Sequence, residues 1–243
     1  LIFMAEQTAE NIDAVVEEIL DYQVDGIIAA SVAMSSDLSE RCRAAGVPMV
    51  LFNRSQDDPN MSAVTSDNYA GGRKIAEFLL AAGHKKIGHI AGWHGASTQR
   101  DREAGFISAL ADAGVALHSR SEGDFTMARA AEAARKMFTH DAPDAVFVAN
   151  DHMALAVLDT LRFELGMKVP DDVSVVGYDD VPAAGWRAYD LTTVRQPANR
   201  MVTNTVEILL DQIENNTGET RRIAIDGPLI VRGSARIPKG WTK

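Results

Sequence analysis

The sequence has little cysteine: Cys42 is the single one among 243 residues, so an intramolecular disulfide cannot form. Its setting, SERCRAAG, is typical of a helix face on which a small thiol is buried or half-buried. A chain without disulfides fits a reducing compartment, and a cytoplasmic location is expected.

Long apolar runs are also missing. No run approaches the roughly 20 residues that span a bilayer, so no membrane partner is expected. The sequence does not open with a basic segment, an apolar stretch and a small-residue cleavage site. It starts at Leu1, and LIFMAE has the pattern of a strand interior. We therefore interpret the sequence as a fragment, and its composition leaves open a lost signal peptide or a lost upstream domain.

Basic residues are scarce relative to acidic ones. Lys and Arg number 24 and Asp and Glu number 34, which gives a formal net charge of −10. Binding to a phosphate backbone needs a clustered excess of Lys and Arg, so this chain's own surface is not expected to bind nucleic acid. The 46% apolar content is ordinary for a globular protein, and the length suits one large domain or two small lobes.

Motifs of catalysis and metal binding are absent too. His84, His89 and His94 recur at a spacing that matches no common metal-binding pattern. Neither a phosphate loop, nor a dinucleotide fingerprint, nor a G-x-S-x-G elbow occurs. An enzyme could use the adjacent Asp179 and Asp180 as acid and base, but consecutive side chains on an extended chain point in opposite directions. We expect no reaction, no cofactor and no metal.

What the sequence does contain is a regular alternation of short apolar runs and longer segments of helical period. The runs are apolar throughout, as parallel strands covered by helices on both faces require. Ser66-Asp67 and Asn150-Asp151 stand where helix N-caps belong, and glycines at 46 and 166 follow predicted helices. The fold class predicted is α/β with doubly wound parallel sheets.

Polar and aromatic residues follow the predicted strands at their carboxyl ends, where ligands bind in such sheets. Arg102 supplies a planar fork of donors, Asp179 accepts hydroxyls, and Asn150 both donates and accepts. Phe125 or Trp93 offers a ring face. This mixture suits a sugar. The alternatives are a surface arginine, a simple helix cap and two core aromatic residues; taken together, the positions favour a binding site.

Spaced motifs give the chain a clear resemblance to the LacI/GalR family of bacterial transcription regulators. The most specific are VPDDVSVVGYDD, LTTVRQP and LIVRGS. Supporting ones are VDGIIAAS, VPMVLFNR, SDNYAGGRKIAEFLLAAGHKKIGHIAG, FVANDHMAL and the R-x-x-G-F-x-x-A-L pattern that begins at Arg102. The matching part resembles the effector-binding domain of that family, which has the type I periplasmic binding protein fold.

The resemblance implies two Rossmann-like lobes joined by three crossovers, with a small effector between them. Residues 1–84 and 195–224 would form the N-terminal lobe, which would lack its first strand and helix, and residues 85–194 and 225–243 the C-terminal lobe. The family's effector contacts correspond here to five residues, with Asp180 supporting the turn: Thr98, Arg102, Phe125, Asn150 and Asp179. Replacing Arg102 or Asp179 with alanine should remove effector binding and leave the melting temperature nearly unchanged.

The resemblance also implies partners. The expected protein is a cytoplasmic homodimeric repressor that binds a sugar-like effector and reaches operator DNA through an N-terminal helix-turn-helix missing from this chain. Trp186 and Leu155 are candidates for the dimer interface, with a plain core or surface role as the alternative. An exported sugar-binding protein of a transport system is the main rival, and an enzyme that uses Asp179 is the second.

Overall fold

The computed structural model describes residue 19 and residues 22–31, 36–215 and 219–241. The strand predicted at 1–5 and the helix predicted at 8–22 lie outside these ranges, except for residues 19 and 22. None of the helices in the described ranges is both long and apolar enough to cross a membrane.

Strands and helices alternate along most of the described chain, as predicted. The strands are β1 (Ile27–Ala30), β2 (Met49–Phe52), β3 (Ser62–Ser66), β4 (Ile87–Ala91), β5 (Ser119–Glu122), β6 (Ala145–Val148), β7 (Ser174–Asp179), β8 (Thr192–Arg195), β9 (Arg222–Ile225) and β10 (Leu229–Ile230). The helices are α1 (Ser36–Ala44), α2 (Asn68–Ala81), α3 (Ser97–Asp112), α4 (Met127–Met137), α5 (Asp151–Asp159) and α6 (Ala198–Asn215).

The chain divides into two compact units. Unit 1 contains residues 1–66 and 197–225, and unit 2 contains residues 67–196 and 226–243. In unit 1 the described strands form a parallel sheet in the order β1-β2-β3-β9. Apolar residues of α6 pack on one cluster of this sheet's side chains, and Cys42 packs in another, as predicted for a buried thiol on a helix face.

Unit 2 is built on a six-stranded sheet in the order β10-β8-β7-β6-β4-β5, in which only β10 is antiparallel among the pairs described. Alternate residues of β6 enter different cores: Val146 and Val148 join one cluster, and Phe147 joins the other. The sheet is therefore buried on both faces, which explains why its strands are apolar throughout. The α/β class and the parallel sheets are as predicted.

The place of α2 differs from the predicted division of the chain. The resemblance put this helix in the N-terminal lobe, which would end at 84, whereas the boundary between the units falls after Ser66. The reason is close packing of α2 on α3: a Cβ at Gly72 would overlap the backbone oxygen of Arg102, and one at Gly105 would overlap that of Tyr69. Two glycines thus allow the helix backbones to approach one another, and α2 becomes part of unit 2.

The predicted helix ends are confirmed in their chemistry. Oδ1 of Asp67 accepts a hydrogen bond from the Ala70 amide at 2.9 Å, so Asp67 is the N-cap of α2. Gly46 and Gly166 have φ values of 69° and 66°, the left-handed conformation that favours glycine after a helix. The helix predicted from Asp151 to Leu165 is regular as far as Asp159 and continues as a wider π-helical turn over Thr160–Glu164.

Candidate functional site

Unit 2 brings the predicted site residues to the carboxyl ends of its parallel strands. β4 leads into the loop before α3, which carries Thr98 and Arg102, and Phe125 follows β5. Asn150 follows β6, and β7 ends in Asp179. We call these five residues the polar edge of unit 2.

Arg102 is the most enclosed member of the polar edge, since only 2% of it is exposed. Its Nε donates to Oδ1 of Asn68 at 2.9 Å, and Nη1 donates to the carbonyl oxygen of Ala149 at 2.6 Å. Nη2 donates to Oδ1 of Asp179 at 3.1 Å, and Cζ lies 3.7 Å from the centroid of the buried Tyr178 ring. The alternative of a surface arginine is therefore wrong. The burial of this charged group also leads us to expect that removing Arg102 lowers stability, in contrast to the expectation from the sequence.

Asp179 is a shared acceptor at the end of β7. Besides Arg102, Nε2 of Gln196 donates to its Oδ1 at 2.6 Å, and 21% of its side chain is exposed. Both hydrogen bonds go to Oδ1, so the carboxylate presents its Oδ2 to a further donor. A ligand hydroxyl is a suitable donor for a carboxylate held in this way.

Asp180 has partners of its own, which is consistent with the predicted supporting role. Its Oδ2 accepts from Nε of Arg195 at 2.6 Å, and its Oδ1 accepts from Nη2 of Arg232 at 2.6 Å. Its side chain is 6% exposed. The two adjacent carboxylates have different partners, which argues against an acid and base pair acting on one atom.

The aromatic residues of the loops pack on glycines. The ring of Phe125 lies against Gly92, because a Cβ added there would overlap it, and the side chain also packs against the apolar core. Trp93 lies in the same way against Gly95. Both rings are half-buried, so the structure keeps both as candidates for a ligand's ring face.

The remaining two members of the polar edge lie at helix N-termini. Oδ1 of Asn150 accepts from the Met153 amide at 3.0 Å, so Asn150 caps α5 and keeps its amide group for other contacts. Thr98 lies in the first turn of α3, one turn before Arg102, and is 3% exposed. Thr98 is therefore an almost fully enclosed member of the polar edge.

A buried carboxylate behind the polar edge was missed as a site residue and treated only as a helix cap. Asp151 is fully buried; its Oδ1 accepts from Oγ1 of Thr193 at 2.7 Å and its Oδ2 from the amide of Val181 at 2.9 Å. Burial, together with the negative charge of Asp179, raises the pKa of Asp151 to about 6. The sequence does not distinguish a carboxylate that is buried after a strand end from one that is exposed there.

Asp151 makes stability depend on pH. Its pKa is higher in the folded chain than the ordinary value of 3.8, so folding favours the protonated form, and this stability is lost as the pH rises through about 6. Between roughly pH 5 and pH 7.5 the loss is about 1 kcal/mol. Asp151→Asn keeps the acceptor for Val181 and can donate to Thr193. Chemical denaturation should therefore show that the variant, relative to the wild type, has a free energy of unfolding higher at the upper pH than at the lower one by about this 1 kcal/mol. A difference between the two proteins that does not change with pH would contradict the assignment.

Backbone strain concentrates at the carboxyl ends of strands in both units. Among the described residues, nine other than glycine have positive φ, and six of them end a strand or follow its end within three residues: Ser31, Asn53, Asp124, Phe125, Asp179 and Asp180. Asp179 has a φ of 124° and Asp180 of 58°. Such conformations cost energy and persist where the surrounding structure fixes them, which is typical of binding edges.

The two candidate interface residues are placed differently. The Trp186 side chain is 61% exposed, in the segment after β7. Leu155 is 7% exposed and packs in the apolar core with Val157 and Leu158. The core role is therefore correct for Leu155, because its side chain leaves little surface for a partner.

Across the ranges that the structure describes, no three His, Cys, Asp or Glu side chains are grouped so that they could hold a metal ion. His84 and His89 are buried, whereas His94 is exposed. What the polar edge offers is a fixed array of hydrogen-bonding groups beside a ring face. That array suits recognition of a small polar molecule.

The fold and this edge define a class of protein, and comparison with known proteins agrees. The family model described as "Periplasmic binding protein-like domain" matches residues 76–235. The chain therefore belongs to the periplasmic binding protein-like family. Its place within this family follows from individual relatives.

The chain is 32% identical over 218 residues to the HTH-type transcriptional repressor PurR of Photobacterium profundum, with 88% of this chain and 65% of the relative covered. It is 37% identical over 217 residues to the HTH-type transcriptional regulator CelR of Thermobifida fusca, with 87% of this chain and 63% of the relative covered. It thus spans less than two thirds of the length of these relatives.

Solved structures give the same result. A structure described as a transcriptional regulator CelR-cellobiose complex superposes with a TM-score of 0.83 at 36% identity, covering 90% of this chain and 69% of that one. A LacI transcriptional regulator from a Rhodococcus species superposes with a TM-score of 0.86 at 28% identity, covering 97% of this chain and 86% of that one. The chain is a LacI-family effector-binding domain, as the sequence motifs indicated.

Proposed function

We propose that this domain binds a carbohydrate or sugar-like effector at the polar edge of unit 2 and controls a transcriptional repressor of which it is part. The observation that carries the proposal is the pairing of Arg102 with Asp179 at 3.1 Å, at the same edge of the sheet as the half-buried ring of Phe125. A carboxylate held by an arginine is fixed in orientation, so it can accept hydroxyl donors without first losing conformational freedom.

The choice of a carbohydrate is supported by the mixture of groups. A sugar presents several hydroxyls that both donate and accept, and its ring carries an apolar face. Asp179 accepts, the amide of Asn150 donates, and Phe125 supplies a face for the ring. A relative of 36% identity has been solved as a complex with cellobiose.

The remaining parts of the proposal rest on similarity to the relatives. These relatives are named as transcriptional repressors and regulators of the HTH type, which favours a regulator over the rival exported binding protein. In the proposed protein a helix-turn-helix upstream of this domain binds operator DNA, the location is cytoplasmic, and no reaction is catalysed. An effector can change the affinity for operator DNA only by as much as its own affinity differs between the two conformations of the protein.

A ligand screen tests the effector proposal. The chain is heated with cellobiose, ribose, further sugars, sugar acids, polyols and purines, and its melting temperature is recorded. A ligand at 100 times its dissociation constant stabilises the folded form by about 2.7 kcal/mol, which raises the melting temperature by several degrees. Shifts from carbohydrates are expected to become smaller in Phe125→Ala. A shift from purines alone would reject the carbohydrate and keep the site, and no shift from any compound would reject both.

We further propose a homodimer that contacts its partner through Trp186, because a large exposed aromatic side chain is typical of interface centres. Trp186→Gln should raise the dimer dissociation constant by about 10- to 100-fold, measured by sedimentation equilibrium. Trp241→Gln is the matched control, since Trp241 is also an exposed tryptophan, at 44%. Equal effects of the two variants would count against an interface at Trp186.

A further inference from the structure

A buried hydrogen-bond network lies beneath the polar edge and includes none of its five residues. At its centre is Gln99 on α3, which is 0% exposed. Its Oε1 accepts from the backbone amide of Gly92 at 2.6 Å, and its Nε2 donates to Oε2 of Glu103 at 2.9 Å. Nε2 also lies 3.3 Å from Nε2 of His89. Together with Arg120 these residues form what we call the Gln99 network.

The orientation of the Gln99 amide is fixed by its partners. The Gly92 amide can only donate, so it must face the oxygen of Gln99, and the NH₂ group then faces Glu103 and His89. Nδ1 of His89 lies 3.0 Å from the carbonyl oxygen of Phe147, which can only accept. His89 therefore carries its proton on Nδ1 and accepts at Nε2. Burial lowers its pKa to about 4, so the ring is neutral at pH 7.

An ion pair between Arg120 and Glu103 stabilises the outer side of the network. Nε and Nη2 of Arg120 donate to the two carboxylate oxygens of Glu103 at 2.5 and 3.1 Å. Although burial alone would raise the pKa of Glu103, the hydrogen bond from Arg120 keeps that pKa below its usual value. Glu103 is thus a fixed acceptor for Gln99. The buried amide of Gln99 contacts the end of β4 and α3 directly, and it is linked to β5 through Glu103 and to β6 through His89. Each polar group of the amide has a partner.

The network reaches the polar edge through Gly92. The ring of Phe125 rests on this glycine, and the loop that begins there carries Trp93 and leads to Thr98. Gln99 lies on the same helix as Arg102, one turn earlier. The side chain of Gln99 therefore joins the glycine on which the Phe125 ring rests to the helix that carries Arg102.

We infer that Gln99 is a positioning residue of the effector site: by holding the Gly92 amide it sets the place of the Phe125 ring and thereby selects effectors that present an apolar ring face to it. Gln99 itself touches no effector. The inference rests on the proposed function for its effect on binding, whereas the hold of Gln99 on Gly92 can be measured without any ligand.

The first test needs no effector. Gln99→Met keeps the volume and removes every hydrogen bond of the amide. Hydrogen exchange of the Gly92 amide, followed by NMR, should become at least about 100-fold faster, and the ¹⁵N shift of His89 Nε2 should change as it loses its donor. Leu158→Ala is the control, because it removes core packing on α5 without touching the network. If Gly92 exchange rises equally in both variants, or in neither, the positioning role is rejected.

The second test measures coupling, with cellobiose as the probe. Gln99→Met and Phe125→Ala should each weaken binding about tenfold or more, while the double variant should be little weaker than Phe125→Ala alone, because both remove one contact. The losses of binding free energy caused by Gln99→Met and Asn150→Ala should instead be additive. Additive losses for the first pair would overturn the inference. If cellobiose does not bind the wild type, the carbohydrate proposal has failed for that ligand, and the exchange measurement alone decides the role of Gln99.

Discussion

Replacing Arg102 with alanine is expected to lower the free energy of unfolding by about 3–5 kcal/mol and to remove effector binding together with it. The guanidinium has partners on every side: Asn68, the Ala149 carbonyl, Asp179 and the Tyr178 ring. Its loss leaves Asp179 without its charged partner and a carbonyl group without a donor. Urea denaturation of the unliganded chain measures the stability.

Arg102→Lys separates the two consequences of that loss. Lysine keeps the positive charge beside Asp179 but cannot donate to three acceptors in one plane. It should recover part of the stability while binding stays weak by calorimetry. An alanine variant as stable as the wild type would mean that the contacts of Arg102 contribute nothing to folding, contrary to its burial.

Asp179→Asn should weaken effector binding by on the order of 100- to 1000-fold and cost the unliganded chain about 1–2 kcal/mol. Asparagine retains one oxygen for Arg102 and Gln196, so most of the local structure survives. It replaces the second oxygen by a donor, which meets a ligand hydroxyl less well than a carboxylate does, and it removes the negative charge that strengthens such bonds. Calorimetric titration with the ligand found in the thermal screen gives the affinity.

Asp172→Asn is a suitable control for this charge change. Asp172 is exposed, lies before β7 at the opposite end of the strand, and accepts from the Lys168 amide. It should leave effector affinity unchanged. If Asp179→Asn binds as tightly as the control, Asp179 is a structural partner of Arg102 and not a ligand group.

Much of the fold could be predicted because its signals are local. The strand at β6 is an apolar run, the helix after it starts at a capping asparagine, and both occur where the pattern placed them. The position of α2 could not be predicted from such signals. Whether a helix packs on one sheet or another depends on long-range contacts, here the close approach at Gly72 and Gly105, and a glycine pair in a sequence does not name its partner helix.

The candidate site shows the same limit. Arg102, Asp179 and Phe125 could be selected, because their side-chain chemistry and their position after strands are visible in the sequence. Asn68 and Gln196 could not, since their importance lies in which atoms they meet: both hold members of the Arg102–Asp179 pair. Burial also cannot be predicted from the sequence, which left a surface arginine as an alternative for Arg102, whereas the side chain is enclosed in the structure.

The left-handed backbone at the strand ends limits how this site can diversify. Asp179 and Phe125 occupy conformations that β-branched residues reach only at considerable cost, so valine, isoleucine or threonine there would strain the chain before meeting any ligand. Thr98 lies on a regular helix and carries no such restriction. A mutant library aimed at a new effector should therefore vary the first turns of the helices and leave the strand ends as they are.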